Sequence, residues 1–256
     1  MESLLTHISP LELMLACAIA FLAGSVKGMV GFALPMILIS GLSTFLPPDL
    51  ALAGLILPTL ATNLMQALRQ GAAAAWESIA KFRVFLLVGL VFLLASAQLV
   101  RVLSPSALLL MLGLPVTFFA LVQLFGLRLE IKNPSARIEA LIGAVAGFVG
   151  GMSGVWGPPT VLYLTTLNTP KSEHLRVQGV IYGLGAVALA VAHIGSGVLS
   201  EESAPLSFAL LLPAIGGMWL GGRFHDRIDQ QTFRRATLIV LTVAGLNLVR
   251  RGLLMM

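Results

Sequence analysis

The chain has 256 residues, 57% of them hydrophobic and 11% charged, with a mean hydropathy of +0.96. Soluble domains carry roughly 25% charged residues, so a water-soluble fold is excluded and an integral membrane protein is expected. The net charge of +5 would suggest nucleic acid in a soluble protein, but these cations lie between apolar runs, where they set topology. A single cysteine, Cys17, excludes a disulfide framework or a thiolate metal cluster.

A helix needs about 20 apolar residues to span a bilayer, and the apolar runs are taken here in chain order. The first begins at residue 11 without a basic leader or a small-residue cleavage site, so it is read as mature protein. It reaches residue 46 and contains AGSVKGMVGFALP at 23–35. Crossings are expected over 50–68, 84–100 and 105–127. A second interrupted segment over 136–168 contains AGFVGGMSGVWGP at 146–158, and crossings over 177–198, 205–222 and 236–249 complete the chain. The two thirteen-residue stretches match at Ala23/Ala146, Gly24/Gly147, Val26/Val149, Gly28/Gly151, Met29/Met152, Gly31/Gly154 and Pro35/Pro158. The pattern indicates a tandem duplication with halves 1–128 and 129–256.

Each interrupted segment either crosses once or enters, breaks and returns. If both return, one side of the membrane collects Arg69, Lys81, Arg83, Arg128, Lys132, Arg137, Lys171, Arg176, Arg223, Arg227, Arg234 and Arg235, and the other only Arg101, Arg250 and Arg251. Single crossings would divide the same cations almost evenly, so the positive-inside rule selects the hairpins. Each half then holds one hairpin and three crossings. Three is odd, so the second half is inverted. The expected fold is an all-α polytopic membrane protein of two inverted repeats, each a broken-helix hairpin plus three transmembrane helices, with the hairpin tips facing each other near the midplane.

The stretches AGSVKGMVGFALPMI and GAVAGFVGGMSGVWGPPTVLYL, the Pro47 and Pro170 turns that follow them, and the charge distribution resemble the sulfite exporter TauE/SafE family, also called the 4-toluene sulfonate uptake permease family, over about residues 10–250. The resemblance implies a secondary carrier of small sulfur-containing or carboxylated anions, such as sulfite or sulfoacetate, in a bacterial inner membrane. Its implied partners are a small anion and the lipid bilayer, without cofactor or nucleic acid, and a homodimer is compatible with it. Lys27 stands where the second copy has Gly150, and the bulky Phe32 and Trp156 flank the breaks, which distinguishes this chain from the commoner glycine-rich pattern.

Lys27 is the one Lys or Arg within a hydrophobic segment. An intramembrane cation marks a functional site, or else a lysine that complements a helix end and reaches for water. Pro35 and Pro158 suit the first turns of the returning arms. Backbone N–H groups at 28–34 and 151–157 would then face the centre, where helix N-termini attract anions. The candidate anion site comprises Gly28, Gly31, Gly151 and Gly154 for close backbone approach, Ser153 as a hydroxyl donor, and Phe32 and Trp156 as walls or plain packing. Thr59, Asn63 and Gln66 share one helical face, as do Gln178 and Tyr182, and serve either as interhelical glue or as a path lining.

All Asp and Glu residues lie at segment ends or in loops, which argues against a cation carrier, and there is no GxxxxGK[ST] phosphate loop. The histidines at 7, 174, 193 and 225 show no paired metal-ligand spacing, and His193 reads as a satisfied structural residue. An anion channel and a carrier of small carboxylates are the alternatives. An intramembrane enzyme would need an acid, base or nucleophile set that this core lacks, and no metal site is expected.

Overall fold

A computed structural model describes residues 8–126, 135–167, 171–224 and 230–256. The expectations for Arg128, Lys132, Arg227, His7, His225 and Pro170 lie outside the described residues. Helix α1, Pro10–Val30, starts at a capping box in which Ser9 and Glu12 bond reciprocally. It stops at Gly31, whose φ of 83° is the left-handed cap that glycine adopts without cost. The short helix α2, Leu34–Leu42, opens with Pro35 in its first turn, where the missing N–H is no loss. The second interrupted segment repeats this design. Ser135 caps α8, Ala136–Ser153, which ends at Gly154 with φ 68°, and α9 follows over Gly157–Thr166.

Between these hairpins lie α3 (Pro48–Ala67), α4 (Ala72–Lys81), α5 (Arg83–Ala97), α6 (Leu99–Val102) and α7 (Pro105–Leu124), and after them α10 (Lys171–Gly195), α11 (Ala204–Phe224) and α12 (Gln230–Leu254). Among the described residues, six helices are long and apolar enough to cross a membrane: α1, α3, α7, α8, α10 and α11. The chain is an all-α polytopic membrane protein. One expectation needs correction. The stretch between the crossings expected at 50–68 and 84–100, read as a loop, contains α4, which turns 81° from α5. Its alanines are strong helix formers, and Gly71, at φ 90°, lets the chain turn into it.

Side-chain contacts fix which helix ends lie together. Ile8, Pro47, Asp49, Val100, Pro105, Gly197 and Ser203 line one open vestibule of about 550 Å³. Both ends of the first interrupted segment therefore lie at one end of the molecule. At the other end, the Phe85 N–H donates to Glu139 at 3.0 Å and Lys81 pairs with Glu173 at 2.7 Å. Both ends of the second interrupted segment thus lie beside residues 81–85. The vestibule end also holds the end of α12, where Ser106 donates to the Gly252 carbonyl and Arg251 to that of Ser43.

The most extensive contacts pair α1 with α11, α5 with α8, α7 with α12 and α3 with α10. Exchanging the halves leaves this pattern unchanged. Two of the seams are zipped by small residues, which let backbones approach closely. A Cβ built on Gly24 would lie 2.0 Å from the Ala214 carbonyl oxygen, and one on Gly147 would lie 2.1 Å from that of Gly89.

Candidate functional site

The two breaks meet at the centre of the bundle. Lys27, Phe32, Ala33, Pro35 and Met36 from the first hairpin, Gly154, Val155, Trp156 and Gly157 from the second, Asn63 from α3 and Tyr182 from α10 enclose one cavity of about 10 Å³. That is room for about one water.

Lys27 is 2% exposed, which rules out the reading in which its amine reaches for water. Its ammonium donates to Asn63 Oδ1. Among the described residues no carboxylate pairs with it and Asn63 is its one hydrogen-bond partner, so two of its three N–H donors are left for a ligand. Asn63 Nδ2 in turn donates to the Tyr182 carbonyl at 3.3 Å, and the Tyr182 hydroxyl donates to the Gly157 carbonyl at 3.1 Å. A chain of polar contacts thus runs from the first hairpin through two crossing helices to the second. Removing a cation from water costs several kcal/mol unless it is paired, and a neutral amide offsets only part of that. The arrangement holds a dry lysine amine with no counter-ion among the described residues.

The sequence-expected residues divide into two groups. Lys27, Phe32, Asn63, Gly154, Trp156 and Tyr182 line the cavity. Gly28 and Gly151 do not: a Cβ on Gly28 would meet the Met218 carbonyl oxygen at 2.2 Å, and one on Gly151 would meet Ser96 Oγ at 2.2 Å, so both glycines serve helix packing. Gly31 supplies the left-handed cap of α1. The Ser153 hydroxyl is spent locally, donating to the Val149 carbonyl at 2.6 Å and accepting from the Val155 N–H at 3.1 Å. Gln66 is half-buried and Gln178 buried, neither lining the cavity, and Gln178 Oε1 has no hydrogen-bond partner.

The free N–H groups are fewer than expected. Residues 28–30 and 151–153 are helical, and the N–H groups of Gly31 and Gly154 close onto the carbonyls of Lys27 and Gly150 at 2.7 Å each. Pro35, Pro158 and Pro159 have no N–H, and those of Ile37 and Thr160 bond the Ala33 and Trp156 carbonyls, so the helix-start donors without an intrahelical partner are Leu34 and Met36 of α2 and Gly157 of α9. His193 is fully buried with both ring nitrogens engaged, Nε2 with the Gly151 carbonyl at 3.1 Å and Nδ1 with Ser196 Oγ at 3.3 Å. Ala33, Val155 and Gly157, within the backbone stretches expected to face the centre, also line the cavity, and so does Met36, one residue beyond the repeated motif, which no sequence signal marked.

Helices broken against each other around a buried polar site, inside a bundle of crossing helices, are the build of membrane transporters. The family model described as sulfite exporter TauE/SafE matches residues 16–248, and the chain belongs to this family. No match is found among curated proteins or among solved structures.

Proposed function

We propose that this protein is a secondary carrier that moves a small sulfur-containing anion, sulfite or an organosulfonate, by alternating access around the cavity between the two hairpin tips. The observation that carries this reading is the buried Lys27 amine, with no carboxylate partner among the described residues, at the junction of both breaks. An anion arriving there meets a charge that costs energy to leave unpaired, together with the unsatisfied N–H groups at the starts of α2 and α9. Phe32 and Trp156 wall the same space and suit a substituent on a sulfonate. The small volume of the cavity fits a carrier whose site widens for each substrate.

The reading includes two inverted repeats, 1–128 and 129–256, in a bacterial inner membrane. It is supported by the helix pairing that survives exchange of the halves, and by the basic residues. Arg69, Lys81, Arg83, Arg137, Lys171, Arg176, Arg223, Arg234 and Arg235 belong to helix ends away from the vestibule, against Arg101, Arg250 and Arg251 near it. Cysteines at Ser135 and Ser172 are expected to label from the same, cytoplasmic face, and labelling from opposite faces would refute the inversion.

The substrate test is a thermal-shift screen of purified protein against sulfite, sulfate, thiosulfate, taurine, sulfoacetate and an arylsulfonate. A ligand at 100 times its Kd stabilises by about 2.7 kcal/mol. Stabilisation by sulfite or a sulfonate is expected in wild type and should be clearly smaller in Lys27→Ala. A flat response to every sulfur anion would sink the assignment.

A further inference from the structure

Helix α4 is too short to cross a membrane and stands at 81° to α5, so it lies along the surface at the end opposite the vestibule. Its three faces differ. Ala75 and Ser78 are buried, and Ile79 packs with Ala67, Ala75 and Val180 against α3 and α10. Glu77 and Lys81 are exposed and polar. The remaining face carries Ala72, Trp76 and Ala80, all exposed, with Trp76 69% exposed. An apolar face centred on a tryptophan beside a charged face is the pattern of a helix half-sunk at the headgroup level. Trp219, 59% exposed with the Arg223 guanidinium stacked 3.5 Å over its ring, stands near the same end of the molecule on α11.

Arg69 and Arg83 flank the two ends of α4, both exposed, and neither pairs with a carboxylate among the described residues. We infer that α4, with Arg69 and Arg83, forms a docking surface for acidic phospholipid headgroups, with Trp76 seated at the acyl boundary between them. Charge complementarity selects the acidic lipid over a zwitterionic one. The surface is also wired to the bundle. Arg176 of α10 donates to Ser78 Oγ at 3.2 Å and to Gln70 Oε1 at 3.4 Å, and Lys81 holds Glu173 of α10. The same helix carries Tyr182 to the central cavity, so lipid seated on α4 steadies the base of a site-forming helix.

Two measurements on protein in nanodiscs test the surface, and neither requires that the carried anion be known. The first is fluorescence quenching by phosphatidylglycerol brominated near the headgroup, read as the difference between wild type and Trp76→Phe. A quenched Trp76 component is expected. An unquenched one would place Trp76 in water or beneath a second copy of the chain and overturn the inference. The second is the competition of phosphatidylglycerol against phosphatidylcholine for retention on the detergent-extracted protein. The preference should fall by up to about thirtyfold in Arg69→Gln/Arg83→Gln, from the attraction of two cations to an acidic leaflet. An unchanged preference would also overturn it.

Discussion

The two hairpin tips share a motif but fill it in opposite ways. Lys27 and Gly150 hold the same place in the repeat, and so do Ala33 and Trp156. In the first tip the large residue comes early and the small one late; in the second the order is reversed. The consequence is visible in the packing. A Cβ on Gly150 would sit 2.6 Å from Trp156 Cε3 and one on Gly185 3.2 Å from Cε2, so the indole fills the slot that two glycines open. In the first tip the small Ala33 stands among the cavity residues beside Lys27. The first tip therefore contributes the Lys27 amine beside Phe32, and the second the Trp156 indole without a polar side chain. A duplicated scaffold yields a site with two unlike sides, which suits a ligand with an anionic head and a different opposite face.

Substitutions at matched positions can break this comparison, and the largest effect is expected at the left-handed caps. Gly154→Leu should abolish transport while the protein still reaches the membrane, because φ 68° disfavours any side chain and a Cβ there would meet Leu55 Cδ1 at 2.7 Å. Gly31→Leu, at φ 83°, carries the same backbone penalty and should lose transport too. Equal flux from both variants and wild type would show the caps to be incidental.

Lys27→Ala comes next. Charged hydrogen bonds contribute roughly 1.5 to 3 kcal/mol, so calorimetry should show anion affinity falling by about tenfold to a hundredfold, with Lys27→Arg less impaired. Wild-type affinity in Lys27→Ala would move the site onto backbone donors alone. The smallest effect is a gain. Ala33 is the one non-glycine residue with positive φ among the described residues, at 81°, and the left-handed region costs an alanine roughly 1 to 2 kcal/mol. Ala33→Gly should raise the unfolding temperature by a few degrees, less the entropy that glycine adds to the unfolded chain. A lowered temperature would show that the alanine methyl packs better than the strain costs.

Much of this was legible because glycine and proline speak directly about backbone. Gly31, Gly154 and Pro35 marked both breaks, and the basic residues marked which helix ends belong together. The role of each glycine was not legible. Gly28 and Gly151 look the same in sequence as Gly31 and Gly154, yet the first pair faces a neighbouring helix and the second caps a helix end, a distinction set by rotation about the helix axis and by what lies alongside. The Lys27–Asn63 contact joins residues on different helices, and periodicity within one helix carries no record of it. Helix α4 escaped notice because ten residues, half of them alanine, show neither a spanning run nor a loop signal.

The seam between α1 and α11 has a consequence for biosynthesis. Helix α1 is made first, but the helix whose backbone fills its Gly24 and Gly28 groove, Ala204–Phe224, emerges only after most of the chain. Its counterparts α5 and α8 are separated by a much shorter stretch and can close sooner. Until α11 arrives, α1 must rest in the bilayer with an unfilled groove, and until α3 arrives it carries Lys27, in its last turn, without its amide partner. The first half therefore cannot complete its packing before the second is made: the seam of α1 closes only when α11 arrives, with the α7–α12 seam still to follow.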